Sequence, residues 1–464
     1  MLAACGALPR GRDVLSTVDA VDFRTPLRIP PLADPGPVPG RPSFSLTLQA
    51  GESSIVSQGT TRTWGVNGPL LGPTLRMRRG DRVSIEVRNR LDESTTLHWH
   101  GMELPSEADG GPHQMIEPGG IWTPRWRVDQ PAATLWYHPH PHGRTERHVY
   151  RGIGGMLIVD DDSPLTRDLP HEYGVDDVPV IVQDKTFDEA GRLIETEREA
   201  VGMLGDTILV NGTVGPVLTV VAERTRLRLL NASTARIYDF GFSDDRVFAV
   251  IASDGGLLAA PLRRTRIRLS PGERAEIVVR MRPGETTVLR SYPQDLGVAS
   301  PNAEAAGARD RLDVLQLVAG ASIRPSPPIP DRLSASAPAD ETGVSRTRTF
   351  GLGDGRIDDR VMDMQRIDAT VRLGATEIWE VINNHGLPHN FHVHGVRFRV
   401  LDVDGRPPPP ELAGWKDTVY TRPGARLRLT ATFRNPSVGH LPFMYHCHLL
   451  RHEDDGMMGQ FTVV

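Results

Sequence analysis

The sequence predicts an all-β protein of three consecutive Greek-key sandwich or barrel domains, and three observations carry that reading. Segments such as 82–87, 226–229 and 426–429 alternate polar and apolar residues at period two, the spacing of a half-buried strand. Turns rich in Gly, Pro, Asp and Asn separate such segments, and no long run shows helical periodicity. A weak internal repeat recurs at 78–89, 221–231 and 371–384, with starts about 145 residues apart, so each copy marks one domain. The length of 464 residues agrees, since about 150 residues per domain gives roughly three.

The elements follow in chain order. Residues 1–42 form an arm, because seven prolines between Pro26 and Pro42 favour an extended, polyproline-like path over a core element. At its start, Leu2-Ala3-Ala4-Cys5-Gly6 resembles a bacterial lipoprotein box, but no charged or apolar leader precedes it. A lipid anchor at Cys5 and a chance match both stay open; an exported protein, periplasmic, cell-envelope or extracellular, is the expectation. The first domain covers 43–165, the second 175–320 and the third 345–464. Between them, 161–180 is rich in Asp and Pro, and 320–345 carries five prolines with Ser and Ala, as surface connections do.

Composition removes several function classes. Lys+Arg 53 against Asp+Glu 58 leaves a net charge of −5, which argues against a dedicated nucleic-acid binder. No run of 18 apolar residues occurs, so no membrane-spanning helix is expected. Two cysteines, Cys5 and Cys447, rule out a disulfide framework and a four-cysteine zinc site.

Against them stand 16 histidines, unevenly placed: seven between His98 and His148, eight between His385 and His452, and His171 alone between the groups. Two such clusters suggest that distant parts of the chain meet at a shared metal site, contributed by the first and third domains with the second as a spacer. Four motifs hold the candidate ligands: His98-Trp99-His100, His138-Pro139-His140, His389-Asn390-Phe391-His392-Val393-His394, and His446-Cys447-His448 followed by His452 and Met457. On a strand, residues i and i+2 share a face, so each His-x-His pair offers two imidazoles side by side. Four pairs make eight, far more than one zinc ion uses. In the last motif Cys447 faces away from His446 and His448 and serves a different metal. A thiolate, two imidazoles and a weak thioether are the ligand set of a blue-copper site, and His389, Cys447, His452 and Met457 supply it.

These motifs resemble the four copper-binding signatures of the multicopper oxidases, a family that includes laccases and bacterial copper-efflux oxidases; the resemblance covers about 45–464. It implies three cupredoxin-like domains and four copper ions, one type 1, one type 2 and a type 3 pair. It assigns His98 and His392 to type 2 copper, and His100, His138, His140, His394, His446 and His448 to the type 3 pair. His389, Cys447 and His452 become type 1 ligands with Met457 axial. The family often has proline after the first histidine of the third motif, where this chain has Asn390; that position is not a ligand, and no catalytic consequence is expected. The implied reaction takes single electrons from a reducing substrate at type 1 copper, passes them through Cys447 to His446 and His448, and reduces dioxygen to water. Asp109 and Glu453 match acids that supply protons in copper-efflux oxidases.

The substrate is less constrained. Copper-efflux oxidases of enteric type carry a methionine-rich insertion, whereas this chain offers only Met362-Asp363-Met364. Thioethers suit Cu(I), so their scarcity favours an open type 1 site accepting phenols or aromatic amines, with prolines 407–410 at its rim. A cuprous oxidase is the alternative; a copper-free structural periplasmic relative conflicts with the complete ligand set. The histidines outside the motifs, among them His385, read as structural or surface residues.

Overall fold

The computed structural model describes residues 13–196, 199–335 and 339–464; Cys5 lies outside the described residues. Strands dominate, and the helices are short, as in Thr145–Arg151 and Leu450–Asp454. Among the described residues, six sheets pair around three apolar cores. In the first pair, the sheet of Thr61–Val66, Ser43–Ser53, Arg82–Asn89 and Ile121–Trp122 faces one ordered Leu75–Arg78, Gly155–Asp160, Ala133–His138, His98–His100. The second pair comprises a seven-stranded sheet, with Asp177–Lys185, Arg224–Asn231 and Arg274–Arg280 at its centre, and a six-stranded sheet. In the third, Val344–Leu352, Thr376–Asn383, Arg426–Thr432 and Phe398–Val403 oppose Ala369–Val371, Met458–Val463, Phe443–His446, His389–Val393 and Thr418–Thr421.

The sequence repeat has a structural counterpart. Each copy contains a strand that pairs in parallel with the strand opening its sandwich: Arg82–Asn89 with Ser43–Ser53, Arg224–Asn231 with Asp177–Lys185, and Thr376–Asn383 with Val344–Leu352. Each of these strands ends on a fully buried asparagine, Asn89, Asn231 or Asn383. Its Oδ1 accepts the N–H of the residue two positions on, Leu91 (2.9 Å), Ser233 (3.1 Å) or His385 (2.9 Å). Its Nδ2 donates to two carbonyls, one of them from another strand or loop. A buried amide that satisfies three backbone groups is costly to replace, which explains why asparagine recurs there.

One strand departs from its pattern. Arg82–Asn89 and Arg426–Thr432 alternate between buried and accessible positions, as period two predicts, but Arg224–Asn231 is buried almost throughout. Arg228 points into the junction with the first sandwich. Arg228 makes a two-pronged pair with Asp177 (2.6 and 2.8 Å) and reaches Thr134 Oγ1 of the first sandwich at 2.7 Å. Burying such a charge is tolerable only because each guanidinium edge is paired.

The proline-rich arm runs extended along the molecule. Thr25–Pro26 adds a short parallel strand beside Pro216–Ala222, Leu27 is buried in the middle core, and Leu32 bridges to Thr74 of the first sandwich. The first and third sandwiches meet where helix Thr145–Arg151 abuts helix Leu450–Asp454. There the Asp454 carboxylate accepts the N–H groups of Thr145 (2.7 Å) and Glu146 (3.0 Å). Both helices directly follow histidine motifs, so their docking brings those motifs together.

Candidate metal centre

The four His-x-His pairs sit on or just beyond paired strand ends. His98 stands opposite His138, and His392 opposite His446, in antiparallel register. Because the two sheets meet at these ends, eight imidazoles enclose one chamber, every one of them almost completely buried. Two stacked pairs span the junction: His98 on His394 and His100 on His392, each with ring centroids 3.8 Å apart.

The ring nitrogens sort the chamber into three groups. His140, His394 and His446 converge, with Nε2 of His446 3.1 Å from that of His140 and 3.2 Å from that of His394. His100, His138 and His448 form a second triad, His138 Nε2 lying 3.4 Å from both His100 Nδ1 and His448 Nε2. His98 and His392 make the third. Each donates Nδ1–H to a backbone carbonyl, of Asp109 (2.8 Å) and Asp417 (2.9 Å) respectively. Their Nε2 atoms are buried and have no hydrogen-bond partner among the described residues. An unpartnered buried nitrogen costs about 1–3 kcal/mol, and a metal ion bound there removes that cost.

Burial, reinforced by neighbouring imidazoles, holds His98, His100, His138, His392 and His394 well below the usual histidine range. Burial likewise lowers His140 to about 4 and His448 to about 3. These rings are therefore neutral at physiological pH, and each keeps a lone pair for a metal. The donor set fits copper.

Two carboxylates touch the chamber from outside, in opposite electrostatic settings. Glu453 lies 3.3 Å from His140 Nδ1 and 3.1 Å from His446 Nδ1. Burial works against its charge, but those imidazoles prevail and hold its carboxyl well below the usual range. Asp109 lies 2.8 Å from His394 Nδ1, and burial pushes its carboxyl well up. The two acids singled out in the sequence thus border the chamber, with their carboxyls shifted in opposite directions.

Cys447 lies on the other side of its strand, as period two requires. His389 Nδ1 and His452 Nδ1 stand 3.5 and 3.6 Å from its Sγ and 3.0 Å from each other. Met457 is fully buried in the same apolar cluster, and its carbonyl accepts the Cys447 N–H at 3.1 Å. Burial lowers His389 well below its ordinary value and His452 to about 4, and pushes the Cys447 thiol up to about 12. A metal cation would have to displace that thiol proton.

Several residues that matter here were not singled out in the sequence. His385 donates to or accepts from the outward Nε2 of His389 at 3.0 Å and is itself part-exposed. His452 Nε2 donates to Ala200 O at 3.1 Å. The spacer expectation for the middle domain needs correcting. Gly272 approaches so closely that a Cβ there would lie 3.1 Å from His100 and His448. Arg274, wholly buried, grips Asp417 with two bonds of 2.8 and 2.6 Å, and Asp417 accepts His100 Nε2–H at 3.0 Å. The remaining Arg274 donors reach the carbonyls of Thr134, Gly272 and Asp254, so one guanidinium joins all three sandwiches beneath the chamber. With Nε2 so held, His100 turns Nδ1 inward. Only an acidic residue in a strand-like stretch hinted at Asp417, and nothing local marks Arg274.

Two further positions have surroundings the sequence did not show. Prolines 407–410 lead into a turn whose Glu411 pairs with Arg264 (3.0 Å), and Gly414 beyond it packs on Ser253 and Leu258. These contacts face the middle sandwich, not His389 or His452. Asn390 is no bystander either: its side chain lies 3.6 Å from Cys447 Sγ.

Comparison with known proteins matches the pattern. Multicopper oxidase family models cover residues 47–164, 176–292 and 324–464. The multicopper oxidase mco of Staphylococcus haemolyticus is 38% identical over 430 residues, 91% of this chain and 89% of that protein. The cell division protein FtsP of Xenorhabdus nematophila is also 38% identical, over 457 residues, 95% of this chain and 92% of that protein. Among solved structures, the laccase-like multicopper oxidase CueO of Ochrobactrum sp., described as oxidising lignin model compounds and lignosulfonate, superposes with a TM-score of 0.87 at 37% identity, covering 95% of this chain and 100% of that one. With matching family models along its three sandwiches and relatives this similar over nine-tenths of its length, the chain belongs to the multicopper oxidases, an oxidoreductase family.

Proposed function

We propose that this protein is a laccase-like oxidase that couples one-electron oxidation of phenols or aromatic amines to reduction of dioxygen to water, using four copper ions. The observation that carries the reading is the chamber itself, in which the unpartnered Nε2 atoms of His98 and His392 lie between two converging imidazole triads. His98 and His392 would hold type 2 copper. The triads His100/His138/His448 and His140/His394/His446 would each hold one ion of the type 3 pair. His389, Cys447 and His452 would hold type 1 copper, with Met457 as a further, weak ligand. When bound, copper supplies one-electron transfer and the multi-electron reduction of dioxygen.

The protein's own groups do the rest. Cys447 is bonded through the backbone to His446 and His448, which ties the two centres together covalently. Glu453 stands 3.3 Å from His140 Nδ1 and 3.1 Å from His446 Nδ1, close enough to order both rings electrostatically. Asp109, whose carboxyl burial pushes up, is the group placed to deliver a proton into the chamber. His385 is the accessible imidazole nearest the type 1 ligands, because His389 is wholly buried. The domain limits 43–165, 175–320 and 345–464, the arm 1–42 and export to the cell envelope belong to the same reading.

A second reading, a cuprous oxidase, draws support from one observation. Met362, Met444 and Met458, with part-buried Met364, form a cluster made only of methionines, and thioethers suit Cu(I). Copper-reconstituted protein should turn blue, hold four coppers and consume oxygen faster with a phenol than with Cu(I) at equal oxygen. A reversed preference selects the cuprous reading. Protein that stays colourless after reconstitution overturns both and leaves the copper-free role of a structural relative.

A further inference from the structure

Trp136 lies on Ala133–His138, where it shares a face with His138 and stands opposite His100 in the antiparallel register. Its indole stacks on the His138 ring, with 4.1 Å between centroids and 25° between planes. It also meets His100 at 5.4 Å and His448 at 5.6 Å. Those are the rings of one triad. The rings of the other, His140, His394 and His446, meet only imidazoles among the described residues. Carboxylates stand beside them instead, Glu453 at His140 and His446 and Asp109 at His394. Polar support is thinner on the indole side. Asp417 holds His100, and His138 Nδ1 donates only to the adjoining carbonyl of Pro139 at 2.8 Å. His448 Nδ1 is buried with no hydrogen-bond partner among the described residues. A metal-ligating histidine ordinarily has its second nitrogen held by a polar partner; here ring faces are held instead. The indole is itself placed by packing alone. It is 1% exposed, its Nε1–H has no hydrogen-bond partner among the described residues, and Ile181, Leu230 and Ala232 of the middle sandwich close over it.

We infer that Trp136 is a positioning residue for one triad alone: its ring, clamped by the middle sandwich, sets the angles of His100, His138 and His448, and so governs one ion of the type 3 pair and not the other. A ring lying flat on a partner at van der Waals distance cannot turn about its Cβ–Cγ bond without losing that contact. Turning is also the motion that would swing His138 Nε2 away from His100 Nδ1 and His448 Nε2, each 3.4 Å from it. Gly272 closes the other approach, since a Cβ there would lie 3.1 Å from His100 and His448. The two triads are thus held by different means, one beside carboxylates and the other between an indole and a glycine. The middle sandwich reaches only the second through these contacts.

The inference rests on the copper-oxidase reading, and the test uses copper-loaded protein. Trp136→Leu should weaken the hold on one ion about 10–100-fold, seen in metal analysis after dialysis as the loss of one copper of the four. The ion left alone loses the partner that cancels its spin, so EPR-detectable copper should rise by one ion while the blue chromophore keeps its intensity. Ile181→Ala opens the same apolar cluster from the middle sandwich without removing the indole, and it should keep all four ions. Full copper in W136L, joint loss of the ions of both triads, or the same loss in I181A overturns the inference. If W136L does not fold, W136F supplies the second reading, because the smaller ring covers less of the three imidazoles. Under a chelator, one copper should then leave about tenfold faster than it leaves wild-type protein, with the others unchanged. Release that is unchanged, or faster for every ion, overturns the inference. Failure of the underlying reading is distinct, since wild-type protein would then hold no copper and form no blue chromophore.

Discussion

Under the proposed function, the chamber and the cysteine pocket would hold copper in a dry interior by different routes. Every pocket ligand comes from the last sandwich, within residues 389–457, beside a core that middle-sandwich residues such as Val201 and Ile237 also enter. The chamber draws four imidazoles from the first sandwich and four from the third. Arg274 of the middle sandwich and Asp417 of the third set the orientation of His100. The pocket is a local structure, whereas the chamber is an interface. A local site depends on the stability of one core; an interface site also depends on docking, which long-range ion pairs and caps such as Asp454 maintain.

That contrast is sharpest at the one residue joining the two regions. Cys447→Ser should abolish the blue chromophore and take donor-driven oxygen consumption to the detection limit, while the chamber still binds its copper, as metal analysis would show. Loss of chamber copper in this variant would mean that the two sites are not separable.

Breaking the interface from the far side should do the reverse at smaller amplitude. Arg274→Met leaves Asp417 buried without its cation, so Asp417 becomes a poor acceptor for His100 Nε2–H and that ring is free to turn. Chamber copper affinity should fall about 10–100-fold with the blue chromophore unchanged. Arg274→Lys should restore only part, because an ammonium cannot make the two-pronged contact. Equal loss of both signals would make Arg274 a general stability residue instead.

The smallest effect is thermodynamic and is best read in metal-free protein. His140, His448 and His452 titrate near 4, 3 and 4 in the fold because burial disfavours their charged forms, against 6.5 in ordinary exposure. The unfolded chain therefore takes up protons first as pH falls below about 6.5. The contribution of these histidines to stability is complete above that pH and declines toward pH 4, by about 1.4 kcal/mol per pH unit for each. Denaturant unfolding of metal-free protein at pH 7.5 and 5.0 measures this. Equal midpoints at the two pH values would contradict the assigned burial. Two of the three histidines line the chamber, so that region should dominate the loss.

The candidate ligands were legible in the sequence because their signal is local. Period two places His98 and His100 on one face and turns Cys447 away from His446 and His448, whatever the rest of the molecule does. The strand repeat and its terminal asparagines were legible for the same reason. What only the tertiary structure decided involves partners far apart in the chain: Arg274 with Asp417 is 143 residues distant, and His100 with Asp417 is 317. No periodicity carries such pairings, which arise only when separate sandwiches dock. The burial of Arg228 inside a strand that alternates like an exposed one, the inward turn of His100 Nδ1, and the contact of Asn390 with the Cys447 sulfur all belong to that class. The sequence by itself determined which atoms can bind copper. Docking determined which nitrogen each ring presents and which charges and dipoles surround it, because electrostatic contacts depend on distance in space and not along the chain.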